Sequence, residues 1–294
     1  MSDNSNESSG IGNRKRPASP ALSKFDDLKI QDDSVLHGHN DREVCPKCKK
    51  SAMYFCYRCF TPSTASRGRV PQIDLPVPMD IIKHEKELDG KSTAAHARVI
   101  APNDVNIYGW EEIPEYENPD QVLLLFPGPD AKTLSEIPRE SFTRLVVIDG
   151  TWKQASKIAR LSPQLRNVRK VTIAPRKTLF WRYQSLSDNH LATIEAIYYL
   201  YREYAEAFEM KGSLYDGRYD NLLFYFKFFY NMIQNKYRKE KKPYTHRQRK
   251  GYIEYDENDS ENTTEYGERQ SEGHENADSG NISKMSGDEA ETAF

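Results

Sequence analysis

The sequence predicts a fold of the α/β class: an open, mostly parallel sheet between two disordered tails. Two short apolar runs, at residues 122–126 and 145–148, end in the turn signals Pro127-Gly128 and Asp149-Gly150. Such runs are typical of strands buried on both faces of a parallel sheet. A third strand is predicted at residues 168–173. Strands that alternate with helices favour an open sheet, whose ligands sit beyond the carboxyl ends of the strands.

Three helices are predicted in the same region. Residues 153–161 follow the Asp149 turn with helical character. Apolar side chains then recur at three- and four-residue spacings, with Asp188 as a candidate N-cap; they are Leu191, Ile194, Ile197, Tyr198 and Tyr201. A last, aromatic-rich helix is expected over about 219–237.

Composition limits the folded part to nearer 200 of the 294 residues, because 29% are charged and the mean hydropathy is low. Residues 1–35 are expected to form a disordered tail. Residues 236–250 are strongly basic, and the chain beyond them is acidic, so 238–294 is predicted to be a second tail. The net charge of −2 averages over these opposite blocks.

No stretch approaches the roughly 20 consecutive apolar residues of a membrane helix, and residues 1–10 lack the apolar core of a signal peptide. The expectation is a soluble intracellular protein that binds no membrane. The run Arg14-Lys15-Arg16-Pro17 matches a nuclear address and weakly favours the nucleus over the cytoplasm; the alternative is a solvated charge run.

All four cysteines lie within fifteen residues as C-x2-C-x7-C-x2-C, at Cys45, Cys48, Cys56 and Cys59. Two such pairs can complete a tetrahedron of thiolates around zinc and leave no open position, so a structural zinc is predicted in a knuckle over residues 36–65. Disulfides are disfavoured in a reducing compartment, and an iron–sulfur cluster is a less usual match to this spacing.

Basic and aromatic side chains are interleaved with the cysteines: Lys47, Lys49, Lys50, Tyr54, Phe55, Tyr57 and Arg58. Basic groups meet phosphates and aromatic rings stack on bases, so the knuckle is a candidate RNA contact. The alternative, equally open from the sequence, is that the rings only shield the metal.

The tetrapeptide Asp149-Gly150-Thr151-Trp152 offers a carboxylate, a flexible glycine, a hydroxyl and a large ring at a strand-to-helix switch. These are the ingredients of a polar ligand site. On pattern alone, Asp149 as a helix cap and Trp152 as a core residue is the competing interpretation.

A long basic stretch follows that tetrapeptide. No Asp or Glu occurs from residue 151 to 187, where nine cations lie. Such a block predicts a polyanionic partner, and the aromatic residues beside Arg182 favour RNA.

These motifs resemble the DTW-domain family, whose signature D-x-T-W is matched by residues 149–152. Four further elements match: Pro127-Gly128 through Ala131, His84-Glu85 with Lys91 to Thr93, Phe180-Trp-Arg182, and Ala192-Thr-Ile-Glu195-Ala. The similarity covers about residues 45–237, and 81–101 and 219–226 are most similar to a eukaryotic branch that modifies tRNA. The catalytic domain is therefore placed at 66–237.

The resemblance implies a SPOUT-like sheet with a knotted S-adenosylmethionine (SAM) site, and transfer of the donor's 3-amino-3-carboxypropyl group to N3 of a tRNA uridine. It implies that Asp149 accepts the proton or orients the donor's amino group, that Thr151 binds the transferred group, and that Trp152 stacks on a base or forms a wall of the pocket. Pro127, Gly128 and Gly150 would contact the donor, and Arg182 its carboxylate or a tRNA phosphate.

Two alternatives stay open: a SAM-dependent RNA methyltransferase on the same fold, and a zinc-knuckle RNA-binding protein without catalysis. The sequence does not indicate the oligomeric state.

Overall fold

A computed structural model of the chain describes residues 24–39, 41–181, 190–240 and 253. Several sequence-predicted features lie outside these ranges: the basic cluster at 14–17, Arg182, the candidate cap Asp188, and nearly all of the basic and acidic C-terminal stretch.

The core of the fold is a five-stranded, wholly parallel sheet, which confirms the predicted class. Its strands are β3 (Met79–Lys83), β4 (Val105–Gly109), β5 (Val122–Leu125), β6 (Arg144–Asp149) and β7 (Arg169–Val171), in the order β4-β3-β6-β5-β7. The predicted strands correspond to β5, β6 and β7. A small antiparallel pair, β1 (Glu43–Val44) and β2 (Ser51–Ala52), precedes them.

Helices cover both faces of the sheet. On one face α1 (Ala94–Ile100), α3 (Thr193–Tyr204) and α4 (Phe224–Glu240) pack in a large apolar core, against strand residues such as Met79 and Val147. On the other face α2 (Trp152–Leu161) buries Ala155 and Ile158. Central strands buried on both sides explain why their sequences are apolar throughout.

The predicted helices occur, with shifted ends. Of the apolar positions assigned to α3, Ile194, Ile197, Tyr198 and Tyr201 are buried, whereas the half-buried Leu191 precedes the helix, which begins at Thr193. The aromatic helix α4 begins at Phe224, after a turn of 3-10 helix at Asp220–Leu223. No described helix combines the length and apolar character needed to span a bilayer.

Residues 24–36 differ from the predicted tail of 1–35, because this segment packs onto the domain. Phe25 and Leu36 are buried in the large core, and the backbone N–H of Lys29 donates to the buried Asp220 carboxylate at 2.6 Å. Its few apolar residues are separated by polar ones, so the sequence pattern alone predicts a tail there.

The cysteine knuckle shares the core of the sheet domain. Phe55 is 1% exposed and contacts Tyr225 of α4 at a ring-centroid distance of 4.8 Å, and Tyr54 packs on Phe228 at 4.9 Å. These two rings therefore hold the knuckle against the domain. Because both rings are buried, they are not available to stack on RNA bases in the folded protein.

Candidate functional site

The signature tetrapeptide lies at the topological switch point of the sheet. From β3 the chain leads through α1 to β4 on one side, whereas from the neighbouring β6 it leads through α2 to β7 on the other. The two helices lie on opposite faces. At such a point open α/β sheets bind ligands in a crevice beyond the strand ends, which here is the place between the carboxyl ends of β3 and β6.

Asp149, the last residue of β6, is 2% exposed in this crevice. Its carboxylate accepts hydrogen bonds from two hydroxyl groups: Ser92, just before α1, donates to Oδ2 at 2.7 Å, and Thr193, at the start of α3, donates to Oδ1 at 2.5 Å. Burial raises the pKa of this carboxyl above its usual range, and the two hydrogen bonds oppose that rise.

Asp149 does not cap α2. The N-cap is Thr151, whose hydroxyl accepts from the backbone N–H of Gln154 at 3.4 Å. The Gln154 side chain accepts in turn from the Thr151 backbone N–H at 2.7 Å, which completes a capping box. The helix-cap interpretation of Asp149 is thus wrong. Thr151 is exposed, and its role toward a ligand stays a prediction.

The backbone conformation at position 150 requires a glycine. Its φ of +155° is rare for residues with side chains, and a Cβ there would lie 2.9 Å from Gln154 Oε1 and 3.3 Å from the Cβ of His84. The glycine lets the end of β6 lie close to His84, which follows β3.

His84 is 4% exposed, and its ring lies 5.6 Å from that of Trp110. Its Nδ1 accepts from the backbone N–H of Lys86 at 3.1 Å. This contact is made by the tautomer that carries its proton on Nε2.

Trp152 is half-buried, with its ring between Phe126 at 5.8 Å and His190 at 5.0 Å. Phe126 directly follows β5, so these rings connect the ends of β5 and β6. Pro127 and Gly128 come next and are exposed. The structure thus brings the predicted Pro-Gly loop and the D-G-T-W turn to adjacent strand ends.

Three consecutive residues at the start of α3 tie the matched motifs together. Ala192 donates its backbone N–H to the Glu195 carboxylate at 2.8 Å, Thr193 contacts Asp149, and the Ile194 N–H donates to the Thr93 hydroxyl at 3.1 Å. Sequence reasoning assigned no role to Ser92, Thr93 or Thr193. The signal for them was only their position inside matched motifs.

The basic stretch divides into two groups in the structure. Arg169 donates to the Ser141 backbone oxygen at 2.6 Å, and Arg176 pairs with Glu203 at 3.2 Å. By contrast, the outward face of α2 carries exposed side chains that border a shallow groove of about 410 Å³ beside Trp152; they are Lys153, Ser156, Lys157 and Arg160. The cations available to an external polyanion therefore lie mainly on α2.

The four cysteines converge as predicted. Their Sγ atoms all lie within 4.8 Å of one another, which fits the roughly 3.8 Å edge of a tetrahedron with metal–sulfur bonds of about 2.3 Å. The residues present can therefore hold a metal ion.

The two halves of the knuckle repeat one local structure. The N–H of Cys45 donates to Lys50 and that of Cys56 to Thr61, both at 2.9 Å. The residue fourth after each of these cysteines, Lys49 or Phe60, has a positive φ, of 61° or 50°. Such tight turns place two thiols on one side of each loop.

Electrostatics oppose the presence of four thiolates in this cluster by itself. The backbone N–H of Cys48 lowers the pKa of Cys45, whereas burial and the neighbouring cysteines raise the pKa of Cys59. Full ionisation of the cluster is therefore opposed until a positive charge lies among the sulfur atoms.

Comparison with known protein families identifies the family of the chain. The DTW domain family model matches residues 53–234. The chain belongs to the DTW domain family. The match includes the Asp149 turn, Glu195 and the second cysteine pair.

Among relatives of this DTW-domain protein, the tRNA-uridine aminocarboxypropyltransferase 1 of Xenopus tropicalis is 35% identical over 71% of this chain and 85% of the relative. That of Homo sapiens is 36% identical over 66% and 78%. The tRNA-uridine aminocarboxypropyltransferase 2 of Drosophila melanogaster is 28% identical over 46% and 55%. No solved structure is significantly similar to the chain.

Proposed function

We propose that this protein is a tRNA-uridine aminocarboxypropyltransferase that uses SAM as the donor. The observation that carries the proposal is the buried Asp149 carboxylate at the switch point, in a domain whose relatives bear that activity in their names. The uridine N3 loses its proton to solvent and attacks the propyl carbon attached to the sulfonium. The carbon–sulfur bond breaks, and methylthioadenosine leaves as a neutral thioether.

Asp149 suits the recognition of a cationic donor. Among the described residues, no lysine or arginine forms an ion pair with it; Lys83 acts only at longer range, since its ammonium pairs with Asp89. A buried carboxylate without a cation is costly, and a ligand ammonium group removes that cost. We therefore favour the donor-orienting role of Asp149 over that of proton acceptor.

Ser92 and Thr193 fix the direction of that carboxylate. Each hydroxyl donates to a different oxygen, so neither oxygen can rotate away without breaking a contact. Such orientation decides which carbon of the sulfonium faces the base, since aminocarboxypropyl and methyl transfer differ only in that geometry.

We propose that the donor site is a SPOUT-like knot, with Pro127, Gly128 and Gly150 beside the donor. In support, the chain leaves β7 at the sheet edge and returns to the sheet centre. Leu179 contacts Glu195, and Thr193 contacts the end of β6.

We propose that tRNA docks on the outward face of α2. This helix starts at the D-G-T-W turn, so phosphates bound by Lys153 and Lys157 would lie close to the candidate donor crevice. Trp152, at its first turn, is placed to pack on a base removed from its stack.

The activity is tested by incubating the purified protein with SAM and unmodified tRNA and measuring nucleoside masses. A uridine heavier by about 101 Da is expected, whereas about 14 Da would indicate a methyltransferase. Protein that binds SAM but leaves tRNA unchanged would contradict the proposal. Protein that does not bind SAM would favour an RNA-binding module.

The metal is proposed to be zinc, because four thiolates in a closed tetrahedral set suit it. Metal analysis should find about one zinc per chain, and the double change Cys48→Ser with Cys59→Ser should release it. Lys47→Ser, in the same turn and exposed, is the control and should keep the metal. If the double variant retains zinc, the four cysteines are not the zinc site.

A further inference from the structure

Glu195 is an unusually placed carboxylate, because it is 3% exposed near the start of α3 and contacts two separate segments. Its Oε2 accepts from the Thr178 hydroxyl at 2.5 Å and from the Ala192 N–H at 2.8 Å, and its Oε1 accepts from the Leu179 N–H at 2.8 Å. One side chain thus joins both ends of the segment between Leu179 and Ala192.

Those contacts extend on both sides of Glu195. The Thr178 hydroxyl also accepts from the Phe180 N–H at 2.9 Å, and the next ring along, Trp181, packs on Phe226 of α4 at 5.7 Å. On the other side, Ala192 is followed by Thr193, which donates to Asp149. The position of Thr193 therefore depends on how residues 178–181 are held.

We propose that Glu195 is a positioning residue for the donor site, which acts by fixing the start of α3 and, through Thr193, the orientation of the Asp149 carboxylate. This inference rests on the proposed transferase function, and it goes beyond a helix cap. A cap needs only the Ala192 contact, whereas the Thr178 and Leu179 contacts set the distance between α3 and the segment that leaves β7.

The same helix provides a matched control. Glu203, further along α3, also accepts from the segment after β7: from the Ala174 N–H at 3.0 Å and from Arg176 at 3.2 Å. Within the described part of the chain it contacts neither Ala192 nor Asp149. Loss of either carboxylate removes hydrogen bonds between α3 and that segment, but only loss of Glu195 should disturb the donor site.

The experiment compares Glu195→Gln with Glu203→Gln. Glutamine keeps one acceptor but replaces the other oxygen with a donor, which cannot serve both Thr178 and Ala192. We expect kcat/KM for SAM to fall on the order of 10²-fold in Glu195→Gln, as for a reacting group displaced by about 1 Å, with tRNA affinity within twofold. Glu203→Gln should stay within about threefold of the unmodified protein.

A second pair of variants, at Thr178, tests the inference if Glu195→Gln does not fold. Thr178→Val removes the hydroxyl at nearly constant volume, whereas Thr178→Ser keeps it. SAM affinity, measured by titration calorimetry, should weaken in Thr178→Val and be retained in Thr178→Ser. In the double variant with Glu195→Gln, the two losses in kcat/KM should be less than additive, since both remove one contact.

The outcomes separate this inference from the proposed function. If the unmodified protein gives no modified uridine, the transferase proposal fails, and Glu195 is judged on SAM affinity alone. If the unmodified protein is active and Glu195→Gln matches Glu203→Gln in kcat/KM for SAM, Glu195 is a structural cap and the inference is overturned. Equal SAM affinity in Thr178→Val and Thr178→Ser overturns it as well.

Discussion

Two buried aspartates on neighbouring strands of the same sheet have opposite surroundings. Asp80 on β3 is 1% exposed and lies beside the Arg144 guanidinium at 2.9 Å, with further hydrogen bonds from Asn106 and Tyr116. Asp149 on β6 is as deeply buried but accepts from two neutral hydroxyls. The first carboxylate is neutralised by the chain; the second is not.

We propose that the difference separates a structural carboxylate, Asp80, from a ligand-binding one, Asp149. A buried charge with a guanidinium partner and filled acceptor sites is complete within the fold. A buried charge held only by hydroxyls keeps a raised pKa and an affinity for an external cation. Asp80 lies near the amino end of its strand, whereas Asp149 lies at the carboxyl end, the end at which open α/β sheets generally bind ligands.

The largest expected effect comes from making Asp80 resemble Asp149. Arg144→Met removes the cation and leaves Asp80 buried, so the free energy of unfolding should fall by roughly 3–5 kcal/mol. Denaturant unfolding measures this, with the exposed Arg166→Met as control. Activity per folded molecule should change little, and a small stability loss would show that Asp80 does not depend on its ion pair.

The second change removes the charge from Asp149. Asp149→Asn keeps the side-chain shape, so folding and the metal should survive, while turnover should fall on the order of 10²-fold because the donor loses its orientation. SAM affinity should weaken too, because the ammonium partner is lost, with tRNA affinity nearly unchanged. If Asp149→Asn retains full aminocarboxypropyl transfer, the contrast between the two aspartates has no functional meaning.

The sequence predicts one of these aspartates and misses the other. Asp149 was found because it follows an apolar run and precedes a turn. Asp80 interrupts the run of β3, so that strand was not predicted, and neither were α1 and β4. Its pairing with Arg144, 64 residues later, cannot be inferred from local pattern. Ser92 and Thr193 were missed as site residues for the same reason, since only the tertiary fold brings them to Asp149.

The cysteine site was predictable because its ligands lie in one short segment whose spacing defines the geometry. Its aromatic residues were not, because whether a ring faces solvent or the domain core depends on α4, about 170 residues away along the chain. The sequence predicts the basic stretch as a block, yet pairing with Ser141 and Glu203 engages Arg169 and Arg176, so the cations presented outward lie mainly on α2.

A third, smaller effect tests whether the two substrates use different parts of the same strand end. Replacing Lys153 and Lys157 with Gln should weaken tRNA binding and reduce the slope of log K against log salt by about 1 to 2, since about one counterion is released per phosphate contact. SAM affinity should not change. The control is Arg176→Gln, whose cation is already paired with Glu203; an equal loss of slope there would argue against α2 as the tRNA face.

The smallest effect concerns pH and stability, and it tests the uncompensated charge of Asp149 directly. Because the folded-state pKa is raised above the reference value of 3.8, the folded protein holds this proton more tightly than the unfolded chain. Unfolding free energy therefore falls as pH rises from the unfolded to the folded pKa of this group, and the cost then persists at higher pH.

Asp149→Asn has no such titration. It should be at least as stable as the unmodified protein at pH 7, by on the order of 1 kcal/mol per unit of raised pKa, and the advantage should shrink as pH falls. Saturating SAM should stabilise the unmodified protein more than the variant, since only the carboxylate gains a cationic partner. Exposed Asp130→Asn should show neither effect. If Asp149→Asn is instead less stable at pH 7 and the deficit disappears in acid, the fold already stabilises the charge of the Asp149 carboxylate. Asp149 would then be a structural residue, as Asp80 is.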